Sequence, residues 1–470
     1  MSDHVTSRRA LIGAGGALAG LALAPRAGRG AEPRKPNILF IMADDLGYAD
    51  VSCYGRPDYQ TPNVDRLAAE GLRFMQAYAN SAVCSATRVG LITGRYQNRL
   101  AIGLEEPLGP RDVGLPPEHP TLPSLLKKAG YTTGLVGKWH LGSPPKFSPQ
   151  LSGYDHFWGF HGGGLDYFDH NKPTTDLWDE DKRDPEPGYM TDLIGERAVK
   201  MIEYFAGEGR PFLLSLHFSA PHWPWEGPGD EAESKRIMAN PRDFTDFDGG
   251  SQKIFAAMVT RMDYQIGRAL EALKQRGLEQ DTLVVFTSDN GGERYSDTWP
   301  FTGKKTELLE GGLRIPAIVR WPGHVAAATR SDQVMISMDW LPTLVAAAGG
   351  ATDPAYPPDG MSLMPALQGA AAVKRVLFWR YLNLAQEACR DGDFKYLKIL
   401  ENTFLFNVVD DPQERANLKD RLPEVYARLV AEYRAWDAKM LPLDPKAATW
   451  GFKASEAADH FGVKSNRTRD

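Results

Sequence analysis

The chain has 470 residues, 42% of them hydrophobic and 24% charged, and a formal net charge of −6. That is an ordinary globular composition, long enough for a large core plus a second unit, and an acidic balance without recurring Lys/Arg runs rules against a nucleic-acid-binding surface. Three cysteines, Cys53, Cys84 and Cys389, make neither a disulfide framework nor a zinc site, which leaves at least one thiol over as a candidate for reactivity.

Residues 1–31 read as a targeting peptide. Ser7-Arg8-Arg9-Ala10-Leu11-Ile12 opens an Ala/Gly/Leu-rich stretch that runs to Ala24, and Arg26 and Arg29 precede Gly30-Ala31. The stretch is too short to span a bilayer, and Gly13, Gly15, Gly16 and Gly20 weaken it as a buried helix. The arginine pair resembles a twin-arginine signal, which implies export of the folded protein to the periplasm or beyond. Cleavage after Ala31 removes four arginines against Asp3, a net +3, so the mature chain carries −6 − 3 = −9. No other segment is apolar for long enough to cross a membrane.

Next come four short apolar runs, each ending in a polar cluster. Ile38–Met42 leads into Asp44-Asp45, Thr132–Val136 into Lys138-Trp139-His140, Phe212–Phe218 into His222, and Thr282–Phe286 into Asp289-Asn290. Such runs are strands buried on both faces of a mostly parallel sheet. Helical spacing lies between them: after Thr61-Pro62 up to Gly71, over 121–129, and over 253–276. The Asp/Gly/Pro-rich segments 163–190 and 226–250 read as surface loops. Beyond residue 372, strand-like runs at 376–379, 394–399 and 403–406 precede a helix from Pro423 to about Met440, with Val425, Leu429, Tyr433 and Trp436 on one face. The expected fold is α/β: a large mixed, mostly parallel sheet sandwiched by helices over 32–371. A smaller C-terminal unit over 372–470 adds an antiparallel sheet and a helix.

In open α/β sheets the site lies beyond the carboxyl ends of the strands, where all four polar clusters fall. Asp44, Asp45, Asp289 and Asn290 offer only hard oxygen donors, which favours calcium, with magnesium the alternative, over zinc. Cys84 precedes the apolar run Val89–Ile92, and Ser85 is placed to cap a helix start there. A helix start suits an anion, and Arg88 lies one turn on.

Cys84-Ser85-Ala86-Thr87-Arg88, followed by Leu91-x-Thr93-Gly94-Arg95, resembles the type I sulfatase signature of the alkaline-phosphatase-like superfamily, with Ala86 and Thr87 where Pro and Ser are commoner. Gly137–Gly142, Ala220-Pro221-His222-x-Pro224, Lys305 followed by Glu310-Gly311-Gly312, and Gly153–Gly159 resemble further elements of that arylsulfatase-like family, in its order, over residues 36–420. The resemblance implies conversion of Cys84 to formylglycine (3-oxoalanine) by a formylglycine-generating enzyme before export. It implies a calcium ion held by Asp44, Asp45, residue 84, Asp289 and Asn290, and catalysis by Cys84, Arg88, Lys138, His140, His222, Asp289 and Lys305. In that scheme Asp289 accepts a hydrogen bond from the attacking hydroxyl. His222, helped by Lys305, protonates the leaving alcohol, and His140 removes the proton that lets sulfate depart. The implied substrate is an aryl sulfate or sulfated carbohydrate, and Trp139, Trp158, Trp223 and Trp225 are candidate stacking surfaces. Hydrolysis of phosphonate monoesters or phosphodiesters, as in the wider superfamily, is the alternative reaction. A sulfated-glycan-binding protein without catalysis is the alternative from another class.

Overall fold

The structure is a computed structural model that describes residues 35–107, 112–170, 176–239, 249–449, 451 and 453. The targeting peptide expected over 1–31 lies outside them. Among the described residues, twelve strands precede the C-terminal sheet: β1 (Asn37–Ala43), β2 (Leu72–Phe74), β3 (Ala77–Tyr78), β4 (Thr132–Lys138), β5 (His156–Phe160), β6 (Trp178–Asp179), β7 (Lys182–Arg183), β8 (Phe212–His217), β9 (Thr282–Ser288), β10 (Ala317–Arg320), β11 (Thr329–Ser331) and β12 (Met335–Ile336). Ten of them form one sheet, ordered β11-β2-β10-β9-β1-β8-β4-β5-β6-β7, and β12 pairs with β3. The centre, β9-β1-β8-β4-β5, is parallel throughout. Antiparallel pairs flank it at β10 and at β6 and β7.

The apolar runs are continuous because each strand feeds two cores. In β1, Leu39 and Ile41 join one cluster, and Ile38, Phe40 and Met42 the other; Val284 and Phe286 of β9 likewise oppose Leu283 and Val285. Helices Pro62–Ala69, Met190–Glu208 and Gln252–Gln275 cover the first face. Cys84–Thr93, Leu122–Lys128 and Trp340–Ala347 cover the second. Each such aliphatic side chain contributes about 1.5–3 kcal/mol on burial.

Local details refine the sequence reading. Thr61 precedes the helix with Pro62 at its first position, but its hydroxyl does not cap it. The Asp263 carboxylate does, accepting from the Asn63 and Val64 amides at 3.1 and 2.9 Å. That helix ends at Ala69; Gly71 serves instead a close approach, since a Cβ there would lie 2.2 Å from the Val319 carbonyl oxygen. Neither loop segment is wholly surface. Leu165, Asp166, Tyr167 and Glu226 are buried, β6 and β7 extend the sheet, and a helix occupies Glu231–Ala239. Tyr167 accounts for the burial: its hydroxyl reaches the carbonyls of Ser219 and His222 at 3.0 and 2.9 Å, and its amide donates to Glu226 Oε2 at 3.0 Å, pinning one loop onto the other.

The C-terminal sheet is antiparallel, ordered β13 (Val376–Tyr381), β14 (Gln386–Asp391), β15 (Phe394–Ile399) and β16 (Asn402–Asn407). Leu429, Tyr433 and Trp436 of the helix Pro423–Asp437 are buried in the core shared with it. Trp379, Tyr396 and Leu397 share that core with Val83, Ala86, Leu308 and Leu309 of the larger part. Beneath it the Lys395 ammonium bridges Glu310 and Glu414, 2.9 Å from each, with all three side chains fully buried.

Candidate active site

Four parallel strands end side by side, and the chain turns polar at each end. Asp44 and Asp45 follow β1, Lys138 closes β4, His217 closes β8, and Asp289 and Asn290 follow β9. All are buried. Three non-glycine residues here adopt positive φ: Asp45 (61°), His140 (56°) and Thr306 (74°). Such backbone costs of order 1–3 kcal/mol each and persists only where the surroundings fix it. They do: the Asp45 amide donates to Asp289 Oδ1 at 3.1 Å, the His140 amide to the His161 carbonyl at 3.1 Å, and the Thr306 amide to the Ala82 carbonyl at 2.8 Å.

Cys84 is the first residue of the helix Cys84–Thr93. Val83 is the N-cap, so Ser85 is not; its hydroxyl lies buried inside the helix without a partner among the described residues. The helix thus starts two residues earlier than a Ser85 cap would place it, on Cys84 itself. Cys84 Sγ lies 3.4 Å from Asp44 Oδ1 and 3.7 Å from Asp45 Oδ1. Burial, and then the neighbouring Asp289 charge, push the thiol well above the usual cysteine range, which keeps it a poor nucleophile.

Three cations surround it. Arg88 donates to Asp289 Oδ2 through Nε (3.2 Å) and a terminal nitrogen (2.9 Å), and to the Lys138 carbonyl at 3.1 Å. Lys138 Nζ lies 2.6 Å from Asp44 Oδ2, and Lys305 Nζ lies 2.7 Å from Asp45 Oδ2. Burial raises the Asp289 carboxyl, but Arg88 and Lys138 more than offset it and hold it below the usual range. Burial dominates at Asp44, which is raised despite Lys138.

Two histidines complete the ring. His222 Nδ1 donates to the Trp223 carbonyl at 2.5 Å, which leaves Nε2 facing Asp45 Oδ2 at 3.5 Å. Lys305 and His222 therefore converge on one carboxylate oxygen. Neither ring nitrogen of His140 has a partner among the described residues, although both are buried. Burial, and then the adjacent lysines, hold both imidazoles well below the ordinary histidine value, so both are neutral near pH 7. The loop Gly162-Gly163-Gly164 packs on them: a Cβ on Gly163 would lie 2.8 Å from His140 Nε2, and one on Gly164 3.2 Å from His222 Cε1.

The catalytic and metal-ligand residues singled out in the sequence thus meet here, and two others join them. The His217 ring donates through Nδ1 to the Lys138 carbonyl at 3.1 Å, and burial lowers its pKa to about 3. Glu293 lies 4.0 Å from Lys305 Nζ, and burial raises its carboxyl to about 7. His217 closes β8, so the strand-end rule applied to every strand would have found it. Glu293 carries no such signal. Of the four tryptophans, Trp139, Trp158 and Trp225 are buried in the cores. Packing has consumed their faces and leaves Trp223, half-buried, as the one able to meet a ligand.

The acidic residues fit a hard cation. Ligand atoms of Asp44, Asp45, Cys84 and His222 lie within 4.8 Å of one another, and Asp289 reaches the same group through the Asp45 amide. Asn290 donates from Nδ2 to Asp45 Oδ1 at 2.7 Å. Its Oδ1 is buried with no partner among the described residues, an orphan acceptor that a cation would satisfy.

The family model described as Sulfatase matches residues 36–351. N-acetylgalactosamine-6-sulfatase of Homo sapiens is 33% identical over 378 residues, 75% of this chain and 69% of that protein. Arylsulfatase A of Bos taurus is 32% identical over 448 residues, 83% and 84% of the two chains. Among solved structures, Ps i-CgsB in complex with k-i-k-neocarrahexaose superposes with a TM-score of 0.80 at 31% identity, covering 88% of this chain and 95% of the other. A phosphonate monoester hydrolase of Agrobacterium radiobacter shares the fold alone, with a TM-score of 0.61 at 21% identity over 86% and 96% of the two chains.

Proposed function

Because the chain belongs to the sulfatase family and is a sulfuric ester hydrolase, we propose that it works through formylglycine made from Cys84 beside a calcium ion. The observation that carries this reading is the convergence of Cys84, Lys138 and Lys305 on the paired carboxylates Asp44 and Asp45. Asp44, Asp45, Asp289 and Asn290, with residue 84, would hold the ion, whose charge would draw electron density from sulfate oxygen. Hydrated formylglycine would supply one oxygen to attack sulfur and a second whose deprotonation would let sulfate leave.

The protein's own charges set what binds. Three carboxylates (Asp44, Asp45, Asp289) and three cations (Arg88, Lys138, Lys305) cancel, so a divalent ion leaves the site at +2, matched to an anionic ester and its sulfate product. Lys138 and Lys305 orient the sulfuryl oxygens. The Trp223 carbonyl holds the one proton of neutral His222 on Nδ1, so Nε2 must first take up a second proton, for which the Lys305 ammonium on the same Asp45 oxygen is the donor at hand, before it passes one to the leaving oxygen. His140, neutral and unpartnered, is suited to accept one. One relative is named for a sugar ester, N-acetylgalactosamine-6-sulfatase, and Ps i-CgsB is in complex with k-i-k-neocarrahexaose, which supports a sulfated carbohydrate as substrate, with Trp223 as its stacking face. The arginine pair and apolar stretch in the sequence of residues 1–31 support export through the twin-arginine route, and no described helix is long and apolar enough to cross a membrane.

The test is mass spectrometry of the tryptic peptide Phe74–Arg88 from active enzyme. Formylglycine at position 84 is the expected species; full activity with only unmodified cysteine there would sink the proposal.

A further inference from the structure

The catalytic lysine sits on an irregular loop, and something must hold that loop against its strain. Thr306, directly after Lys305, has φ of 74°, the left-handed region in which a β-branched residue is a genuine outlier. Its amide is tied to the Ala82 carbonyl, two residues before Cys84, and the Lys305 amide to the Gly292 carbonyl at 2.9 Å. The remaining tie comes from the other sheet. Gln386, the first residue of β14, is 1% exposed. Its Oε1 accepts from the Leu308 amide at 2.8 Å, and its Nε2 donates to the Thr306 carbonyl at 2.7 Å and to the Asn383 carbonyl at 3.0 Å. One amide fork thus grips the loop on both sides of Glu307. Leu308 and Leu309 pack into the core shared with β13–β16, and the Glu310 amide donates to Glu414 Oε2 at 2.6 Å.

We infer that Gln386 is a positioning residue for Lys305: it locks Thr306 in its left-handed backbone and thereby keeps the lysine ammonium on Asp45 Oδ2. The inference rests on the proposed role of Lys305 in helping the leaving group depart. Without the Gln386 amide, Thr306 stays tied only on its amide side, to the Ala82 carbonyl, and its φ can relax to negative values, which turns the chain at Lys305 and carries Nζ away from the site. A displacement of about 1 Å in a catalytic group costs on the order of a hundredfold in rate. The fall should appear in kcat and grow as the leaving group becomes more basic, because a proton donor matters most there.

The experiment uses the full chain carrying the modified residue 84 and a series of substituted phenyl sulfates of graded phenol acidity. Lys305→Ala, Gln386→Met and the double variant are compared, with thermal unfolding of each. Gln386→Met keeps the side chain's length and removes its amide. It should lower kcat on the most basic phenols roughly ten- to a hundredfold more than on 4-nitrophenyl sulfate, with KM little changed, and it should add nothing to Lys305→Ala. Should Gln386→Met fail to fold, Gln386→Glu serves in its place, since it keeps the bond from Leu308 and breaks the one to Thr306. A loss equal across the series, or a double variant worse than Lys305→Ala by the full factor of Gln386→Met, overturns the inference. A Lys305→Ala variant with no leaving-group dependence overturns the role of the lysine itself, whatever the glutamine does.

Discussion

Adding one methyl group tests whether His140 works at the chemistry. None of Gly162, Gly163 and Gly164 has positive φ, so alanine at these positions meets no backbone penalty. A Cβ on Gly163 would lie 2.8 Å from both Cε1 and Nε2 of His140, roughly 0.7 Å inside the ~3.5 Å of an ordinary contact. The yielding partner is the imidazole, because its nitrogens hold no hydrogen bond that resists rotation. Gly163→Ala should therefore cost about 10- to 50-fold in kcat/KM, about 1.4–2.3 kcal/mol of barrier, while thermal unfolding shifts by no more than a few degrees. Gly164→Ala is the graded control: its Cβ would lie 3.2 Å from His222 Cε1, a strain of a few tenths of an ångström, and the loss should be severalfold. Steady-state hydrolysis of 4-nitrophenyl sulfate reads both. Parental kcat/KM in Gly163→Ala with an intact fold would refute the argument, because the histidine nitrogen would then be dispensable where it stands.

Removing the His222 side chain should slow sulfates of basic alcohols at least tenfold more than activated aryl sulfates, whereas His140→Ala should give a burst of one equivalent of alcohol followed by slow turnover; equal sensitivity of both substrates to His222→Ala would reverse the two roles. Calcium should raise the unfolding temperature of chelator-treated protein and fail to do so in Asp44→Asn, and stoichiometric zinc by elemental analysis would contradict the oxygen-donor assignment. Burial, and then Asp166, raise the Glu226 carboxyl to about 9. Its folded value therefore exceeds the unfolded one, and the stability it contributes, present below about pH 4.5, is lost as pH rises toward 9, by at most about 1.4 kcal/mol per unit. Glu226→Gln, which retains an acceptor for the Tyr167 amide, should flatten the fall in unfolding temperature between pH 6 and 9, and parallel profiles would contradict this.

Much of the site was legible because its residues end apolar strands. Lys138, His140, Asp289 and Asn290 follow runs such as Thr282–Phe286, and the parallel order of β9, β1, β8 and β4 sets those ends side by side. Tertiary partners were not legible. Helix Pro62–Ala69 is capped by Asp263, two hundred residues away, and local sequence offers no sign of it. β14 escaped notice because Gln386-Glu387-Ala388-Cys389-Arg390-Asp391 has neither an apolar run nor a clean alternation. Its polar side chains are buried or paired: Arg390 is 2% exposed among Tyr78 and Gln76, and Glu387 pairs with Lys398. A strand whose side chains find polar partners elsewhere leaves no periodic trace. Trp139, Trp158 and Trp225 mislead in the opposite direction, since proximity in sequence to a strand end does not say which way an indole turns.

The depth at which Cys84 lies imposes a timetable. Its residue is 3% exposed in the folded protein, in a helix whose every member is buried, so any enzyme that rebuilds the side chain must reach it earlier. The order of synthesis supplies the interval. The signature leaves the ribosome with β1, but the strands that flank β1 come later, β8 from Phe212 and β9 from Thr282. Trp379, which helps to close the core around Val83 and Ala86, comes later still. At about 5–20 residues per second, Thr282 trails Cys84 by roughly 10–40 s. For that time the segment lacks the strands that bury it and is open to a second enzyme, and closure of the sheet then ends the opportunity.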